Sequence, residues 1–113
     1  MPHVPPPNSA IAELASALGE ESARELAEMF LTSFEAVLRD LNSGDREERK
    51  RAAHSLKSSA RIVGASALSA RMAELEARLT NTEGDITPKD ISATLEDFER
   101  IAVQLRAYAR QTG

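Results

Sequence analysis

Residues 52–65 of this 113-residue chain read AAHSLKSSARIVGA, and their small and apolar positions repeat with the period of an α-helix. Spacings of four, three and four place one narrow stripe on the side of that helix, formed by Ala52, Leu56, Ser59 and Val63. This stripe predicts the buried side. His54 precedes Leu56 by two residues, about 200° around the axis, because each residue turns the helix by about 100°. The imidazole is therefore predicted to point toward solvent.

Three more side chains share the predicted face of His54, at i+3, i+4 and i+7: Lys57, Ser58 and Arg61. Two of them are cations, and the third is a small hydroxyl residue that leaves the imidazole open to approach. A neutral imidazole can attack phosphorus and later leave, and phosphoryl transfer depends mainly on positioning and charge stabilisation. By itself, a lone exposed histidine favours a surface residue without a role, and only together with the surrounding motif does it favour a phosphoryl carrier.

The same stretch resembles the signature of histidine-containing phosphotransfer (HPt) domains. The matching positions are His54, Leu56, Lys57, Ser58, Ser59, Ala60, Val63, Gly64, Ala65 and Leu68. The one departure is Ser58, where that family most often has glycine, and a serine narrows access to the imidazole without blocking it. Length and helix order extend the resemblance over roughly residues 9–110.

The resemblance implies that the distal ring nitrogen of His54 accepts a phosphoryl group from a receiver-domain aspartate and passes it to another receiver. The expected partners are response-regulator receiver domains and a hybrid sensor histidine kinase. Lys57 is carried over by the match as a phosphate-stabilising residue, whereas the same role for Arg61 is inferred only from its helix face. No intrinsic cofactor is expected, since the receiver would supply Mg²⁺.

Composition limits the class of protein. The hydrophobic fraction is 42%, aromatic residues make up 4%, and alanine, leucine, glutamate and arginine are abundant, which indicates one all-helical domain. The absence of cysteine excludes disulfides and thiolate metal sites. No apolar run approaches 18 residues and no signal peptide is evident, so we expect a cytoplasmic location and no membrane contact. A net charge of −4 argues against a nucleic-acid partner.

Positive charge is concentrated around the histidine. Residues 46–61 contain six basic and two acidic side chains. For Arg46, Arg49 and Lys50 a solvated helix face and a functional role are about equally supported, because charge runs are usually solvated. The sequence shows no Gly-rich phosphate loop, so we predict a carrier without ATP-dependent kinase activity of its own.

The rest of the chain predicts an antiparallel up-down-up-down four-helix bundle with a short extra N-terminal helix. Residues 1–8 are proline-rich and predict a disordered tail or linker, residues 9–110 the bundle, and residues 111–113 a frayed end. The predicted helices cover 9–18, 20–42, 46–63, a fourth from 66, and a fifth from 88. Their predicted N-caps are Ser9, Asp45 with Glu48 completing a capping box, Ser66, and Thr87.

Several further side chains are assigned from their pattern. Phe30 and Phe34 are predicted as core, with a lesser option that one is partly exposed beside His54. Glu74 and Glu76 are predicted as surface acids. A hydrogen bond from this helix to the histidine is the alternative, which the sequence alone does not assign to a residue. A docking surface is expected around His54, drawing on apolar residues of the first helices: Ile11, Leu14 and Leu18.

Two alternatives to the relay remain open. One is a helical bundle that docks receivers without carrying phosphate, and the other is a helical scaffold unrelated to signalling. The sequence lacks the Glu-x-x-His pairs that a di-iron bundle needs, and the acidic residues at 81–85 lack the spacing of a calcium loop. Nothing in the sequence requires more than a monomer.

Overall fold

A computed structural model of the chain describes residues 4–81 and 84–110. Within these ranges the chain forms five helices and no strand: α1 (Ser9–Leu18), α2 (Glu20–Leu41), α3 (Arg46–Ile62), α4 (Ser66–Thr80) and α5 (Pro88–Ala109). The predicted all-helical class is confirmed. The first three residues of the predicted tail and the predicted frayed end at 111–113 lie outside the described residues.

Two predicted N-caps are wrong by one residue. Asn8 caps α1 in place of Ser9, because Asn8 has extended backbone (φ −157°, ψ 171°) and its side chain accepts the backbone N–H of Ile11 at 2.9 Å. Ala65 occupies the cap of α4 in place of Ser66, which is already helical, and no side chain bonds to that helix start.

The other two predicted N-caps are confirmed, at the starts of α3 and α5. Asp45 caps α3 as predicted, by accepting the Glu47 backbone N–H at 3.0 Å. Glu48 does not complete that box, because its carboxylate accepts the Ser43 hydroxyl instead. Thr87 caps α5 as predicted and forms a reciprocal capping box with Asp90.

The turn after α3 requires glycine. Gly64 has a φ of 78°, in the left-handed region that favours glycine, and it ends the helix where the sequence predicts a turn. The side chain of Asn8 occupies the space into which a Cβ at position 64 would project. The same side chain donates to the Val63 carbonyl at 2.9 Å, so Asn8 contacts both the start of α1 and the end of α3.

The core is built from the predicted apolar stripes. Phe34 stacks on Phe98 with ring centroids 3.7 Å apart, and Phe30 lies 6.0 Å from the same ring, so the core assignment of both α2 phenylalanines is confirmed. On α3 the buried residues are three alanines and one leucine: Ala52, Ala53, Leu56 and Ala60. The predicted stripe is wrong in one member, because Ser59 is only half-buried.

Small residues let α3 and α4 pack closely, and polar contacts fix their register. The buried Ser69 hydroxyl of α4 donates to the Lys57 carbonyl of α3 at 2.9 Å. At the other end of the pair, Arg46 donates from Nε to the Leu79 carbonyl at 3.1 Å, where the C-terminal carbonyls of α4 attract a cation. These two contacts join the late part of α3 to the early part of α4 and the reverse, so the two helices run in opposite directions.

Candidate functional site

His54 lies in the middle of α3 on the side away from the core. Its side chain is 62% exposed, which confirms the orientation predicted from its angle to Leu56. Ser58 and Arg61 are also exposed, and Lys57 is half-buried beside α4. All four predicted site residues therefore lie on the accessible part of α3.

A residue of α4 joins two of them. Glu76 Oε2 lies 2.6 Å from His54 Nδ1, and Glu76 Oε1 accepts a hydrogen bond from Lys57 Nζ, also at 2.6 Å. The Glu76 side chain is only 21% exposed, and that of Lys57 is 23% exposed. One carboxylate thus bridges the imidazole and the ammonium group.

This bridge determines the tautomer of the imidazole. An ionised carboxylate can only accept hydrogen bonds, so its contact with Nδ1 requires the ring proton on Nδ1. The lone pair of a neutral ring is then on Nε2. Because Nδ1 is occupied by Glu76, Nε2 is the ring nitrogen left to act as a nucleophile.

The charge of Glu76 is secured by its partners. The hydrogen bond from the Lys57 ammonium lowers the pKa of Glu76 below its usual value, and the hydrogen bond to His54 lowers it further against the opposing effect of burial. The carboxylate is therefore ionised near neutral pH and able to hold the Nδ1 proton.

Glu76 is the site residue that the sequence prediction missed. Glu74 is an exposed acid 3.4 Å from Arg78, as predicted, but the same prediction is wrong for Glu76. The available signal is helix register: Ser69 and Glu76 are seven residues apart, so they share the face of α4 that packs on α3. Only the position of α4 against α3 shows that this face lies opposite His54.

The basic residues around the histidine divide into two groups. Arg46 binds carbonyls at the end of α4, and Arg49 lies 3.2 Å from Asp85 and donates to the Ser43 carbonyl at 2.7 Å. These two arginines bind the segments that follow α4 and α2 to α3. Their positive charge therefore has a structural role that requires no partner protein. The second group consists of the α3 cations that form no ion pair within the described residues: Lys50, Arg51 and Arg61.

The expected apolar docking residues are only partly available. Ile11 is fully buried, so its predicted part in a docking surface is wrong: it packs α1 onto the core. Leu14 is half-buried and packs against the same core, whereas Leu18 at the end of α1 is 56% exposed. Of the three, Leu18 offers the most surface to a partner.

Among residues 4–81 and 84–110, no cluster of three or more histidine, aspartate or glutamate side chains is arranged to bind a metal ion. In that part of the chain no helix combines the length and the apolar character needed to cross a bilayer.

Comparison with known proteins gives one positive result. No curated protein and no solved structure matches the chain. The model of the Hpt domain matches residues 25–110, which run from within α2 to the end of α5 and contain both His54 and Glu76 but not α1. Hpt domains are phosphocarriers rather than kinases, and they interact with receiver domains and histidine kinases. Because the match covers most of the chain, this protein belongs to the Hpt domain family, whose members transfer phosphoryl groups through histidine in two-component phosphorelays.

Proposed function

We propose that this chain is an intermediate of a multistep phosphorelay, in which His54 Nε2 takes a phosphoryl group from a receiver-domain aspartate and delivers it to the aspartate of another receiver. The observation that carries this proposal is the contact of Glu76 with Nδ1 at 2.6 Å, because it leaves the nucleophilic lone pair on Nε2 of an exposed imidazole. An exposed histidine without a role needs no such partner.

The transfer is a displacement at phosphorus. The Nε2 lone pair attacks, the N–P bond forms as the bond from phosphorus to the aspartate oxygen breaks, and the carboxylate leaves with the electron pair. The ring gains positive charge while the proton stays on Nδ1, and the ionised Glu76 stabilises that charge. Delivery to the second receiver is the same displacement in reverse.

The other predicted residues have supporting roles in this proposal. Lys57 lies one turn from His54 and would neutralise phosphoryl oxygens, and Arg61 would add positive charge from further along the face. Ser58 is exposed and small, which keeps the approach to the imidazole open. In this proposal the receiver supplies Mg²⁺.

The predicted up-down-up-down arrangement of α2–α5 belongs to the same proposal. It is supported by pairs that join opposite ends of neighbouring helices, such as Arg71 with Asp97 and Arg78 with Asp90 between α4 and α5. We further propose that residues 9–110 act as one unit, as a monomer in the cytoplasm, downstream of a hybrid sensor histidine kinase.

The test is phosphoryl transfer from a labelled receiver. A phosphorylated receiver with Mg²⁺ should label the wild-type chain with a bond that is labile to acid and stable to base, and His54→Gln should abolish the label. The chain has two histidines, so His3→Gln is the matched control and should be labelled like wild type. Label that persists in His54→Gln contradicts the proposal. Binding of the receiver without any label in wild type would instead support the docking bundle.

A further inference from the structure

We propose that Lys57 changes partner during the relay cycle: Glu76 holds its ammonium group while His54 is unmodified, and the phosphoryl oxygens take it once His54 is phosphorylated. This inference rests on the proposed function, since it requires His54 as the phosphoryl acceptor. It adds a movement within the site that the acceptor role alone does not require.

Lys57 and His54 share one carboxylate partner. Its Nζ lies 2.6 Å from Glu76 Oε1, and the other oxygen of that carboxylate lies 2.6 Å from His54 Nδ1. A single carboxylate therefore separates the ammonium group from the imidazole ring. The lysine stem has four carbons with rotatable bonds, so the charge can move without a change in the helix backbone.

The charges determine the direction of the movement. A phosphoryl group brings between about 1.5 and 2 negative charges and three acceptor oxygens, whereas Glu76 carries one charge. When Lys57 leaves, Glu76 still accepts the Nδ1 proton of a ring that has become more positive, so the carboxylate keeps a partner. Lys57 gains the stronger anion and Glu76 is not left unpaired.

Other cations of the face do not have this choice. Lys50, Arg51 and Arg61 make no ion pair within the described residues, so phosphorylation has no existing ion pair to break there. Lys57 is the cation of this face whose carboxylate partner also contacts His54. A change of partner on phosphorylation is therefore specific to Lys57.

It follows that Glu76 competes with the phosphoryl group for Lys57. Glu76→Gln keeps an amide oxygen to accept the Nδ1 proton but removes the charge that retains Lys57. Because Glu76→Gln also removes the charge that stabilises the phosphorylated ring, the contribution of Lys57 is measured as the ratio of phosphohistidine lifetimes with and without Lys57→Met. This ratio should be about two- to fivefold larger in the Glu76→Gln background than in the wild-type background, because the released ammonium group then binds only the phosphoryl oxygens.

The direct test observes the lysine nitrogen. The chain has three lysines, Lys50, Lys57 and Lys89, so ¹⁵N-labelled lysine gives a short set of Nζ signals that single Lys→Arg variants assign. Potassium phosphoramidate phosphorylates the histidine directly: the N–P bond to Nε2 forms, the N–P bond of the donor breaks, and ammonia leaves after taking a proton from water. A ³¹P phosphoramidate signal that is absent in His54→Gln records the modification independently of any receiver.

Three results decide the inference. We expect the Lys57 signal to move on phosphorylation while Lys89, on α5, does not, and we expect Glu76→Gln to move the Lys57 signal in the unmodified protein only. A Lys57 signal that stays fixed while the ³¹P signal appears overturns the change of partner but leaves the proposed function intact. A chain that takes no phosphoryl group from the donor contradicts the acceptor role and the inference together.

Discussion

Helix α4 is joined to both of its neighbours by carboxylates, but the cations on the two sides differ. Toward α5, Arg71 pairs with Asp97 at 2.6 Å and Arg78 with Asp90 at 2.8 Å. Toward α3, Glu76 pairs with Lys57 and His54. The first side uses a guanidinium in both contacts, and the second uses an ammonium group and an imidazole.

This difference indicates that the two sides of α4 have different roles. A guanidinium stays charged at any physiological pH and binds carboxylates in a fixed geometry. The hydrogen bond that Arg71 donates to Asp97 raises the pKa of Arg71 still further, and the Asp97 side chain is only 4% exposed. Lysine and histidine can move or change charge, and His54 is open to solvent. We conclude that the α5 side fixes α4 in place so that the α3 side can present Glu76 to the imidazole of His54.

The largest expected effect is on stability, from the α5 side. Asp97→Ala should lower the free energy of unfolding by about 2 to 3 kcal/mol, because it removes the shared partner of Arg71 and Arg100 at a buried position. Urea unfolding measures this, with Asp40→Ala, an exposed acid of α2, as the matched control. If both variants unfold at the wild-type midpoint, the α5 side does not hold the fold.

The next effect is a pH dependence from the same side. Arg78, with the Thr87 cap, lowers the pKa of Asp90 from 3.8 to about 2. A group with a lowered folded pKa stabilises the protein above its unfolded pKa and loses that contribution as pH falls through the folded value. Asp90→Asn should therefore cost about 2 kcal/mol at pH 7 and progressively less between pH 4 and pH 2. Urea titrations at several pH values check this, and a difference that does not shrink in acid would contradict it.

On the α3 side we expect a loss of rate with little loss of stability. Glu76→Ala removes the acceptor of the Nδ1 proton and should slow phosphoryl transfer about tenfold, while the free energy of unfolding changes by less than about 1 kcal/mol because the pair is partly exposed. Rapid-quench transfer from a labelled receiver measures the rate. Glu74→Ala, two residues away on another face, should transfer like wild type; equal slowing of both variants would remove the distinction between the two sides of α4.

The smallest effect concerns charge without a fixed partner. Arg61→Ala should reduce the transfer rate about twofold at low salt and less at high salt, because an exposed cation attracts an acidic partner through a screened field. Stability should not change. Arg39→Ala on α2 is the control, and a salt-independent loss for Arg61→Ala would show that this side chain contacts the phosphoryl group directly.

The sequence was sufficient for the helices and for the accessible face of α3, because periodicity records which side of a helix is buried. It was not sufficient for Glu76, since the choice between Glu74 and Glu76 depends on the rotation of α4 and on the level at which it meets α3. The assignment of Ile11 to a docking surface failed for a related reason: an apolar stripe on a short helix does not show whether the core or a partner covers it.

Asn8 has a consequence for sequence change in this lineage. Its side chain fills the space beside Gly64 while it bonds to the Val63 carbonyl and to the start of α1, although α1 lies outside the matched family range. A larger residue at position 64 would have to displace Asn8, and loss of Asn8 would leave the glycine turn uncovered. Among relatives that share α1, we expect these two distant positions to be inherited as a pair.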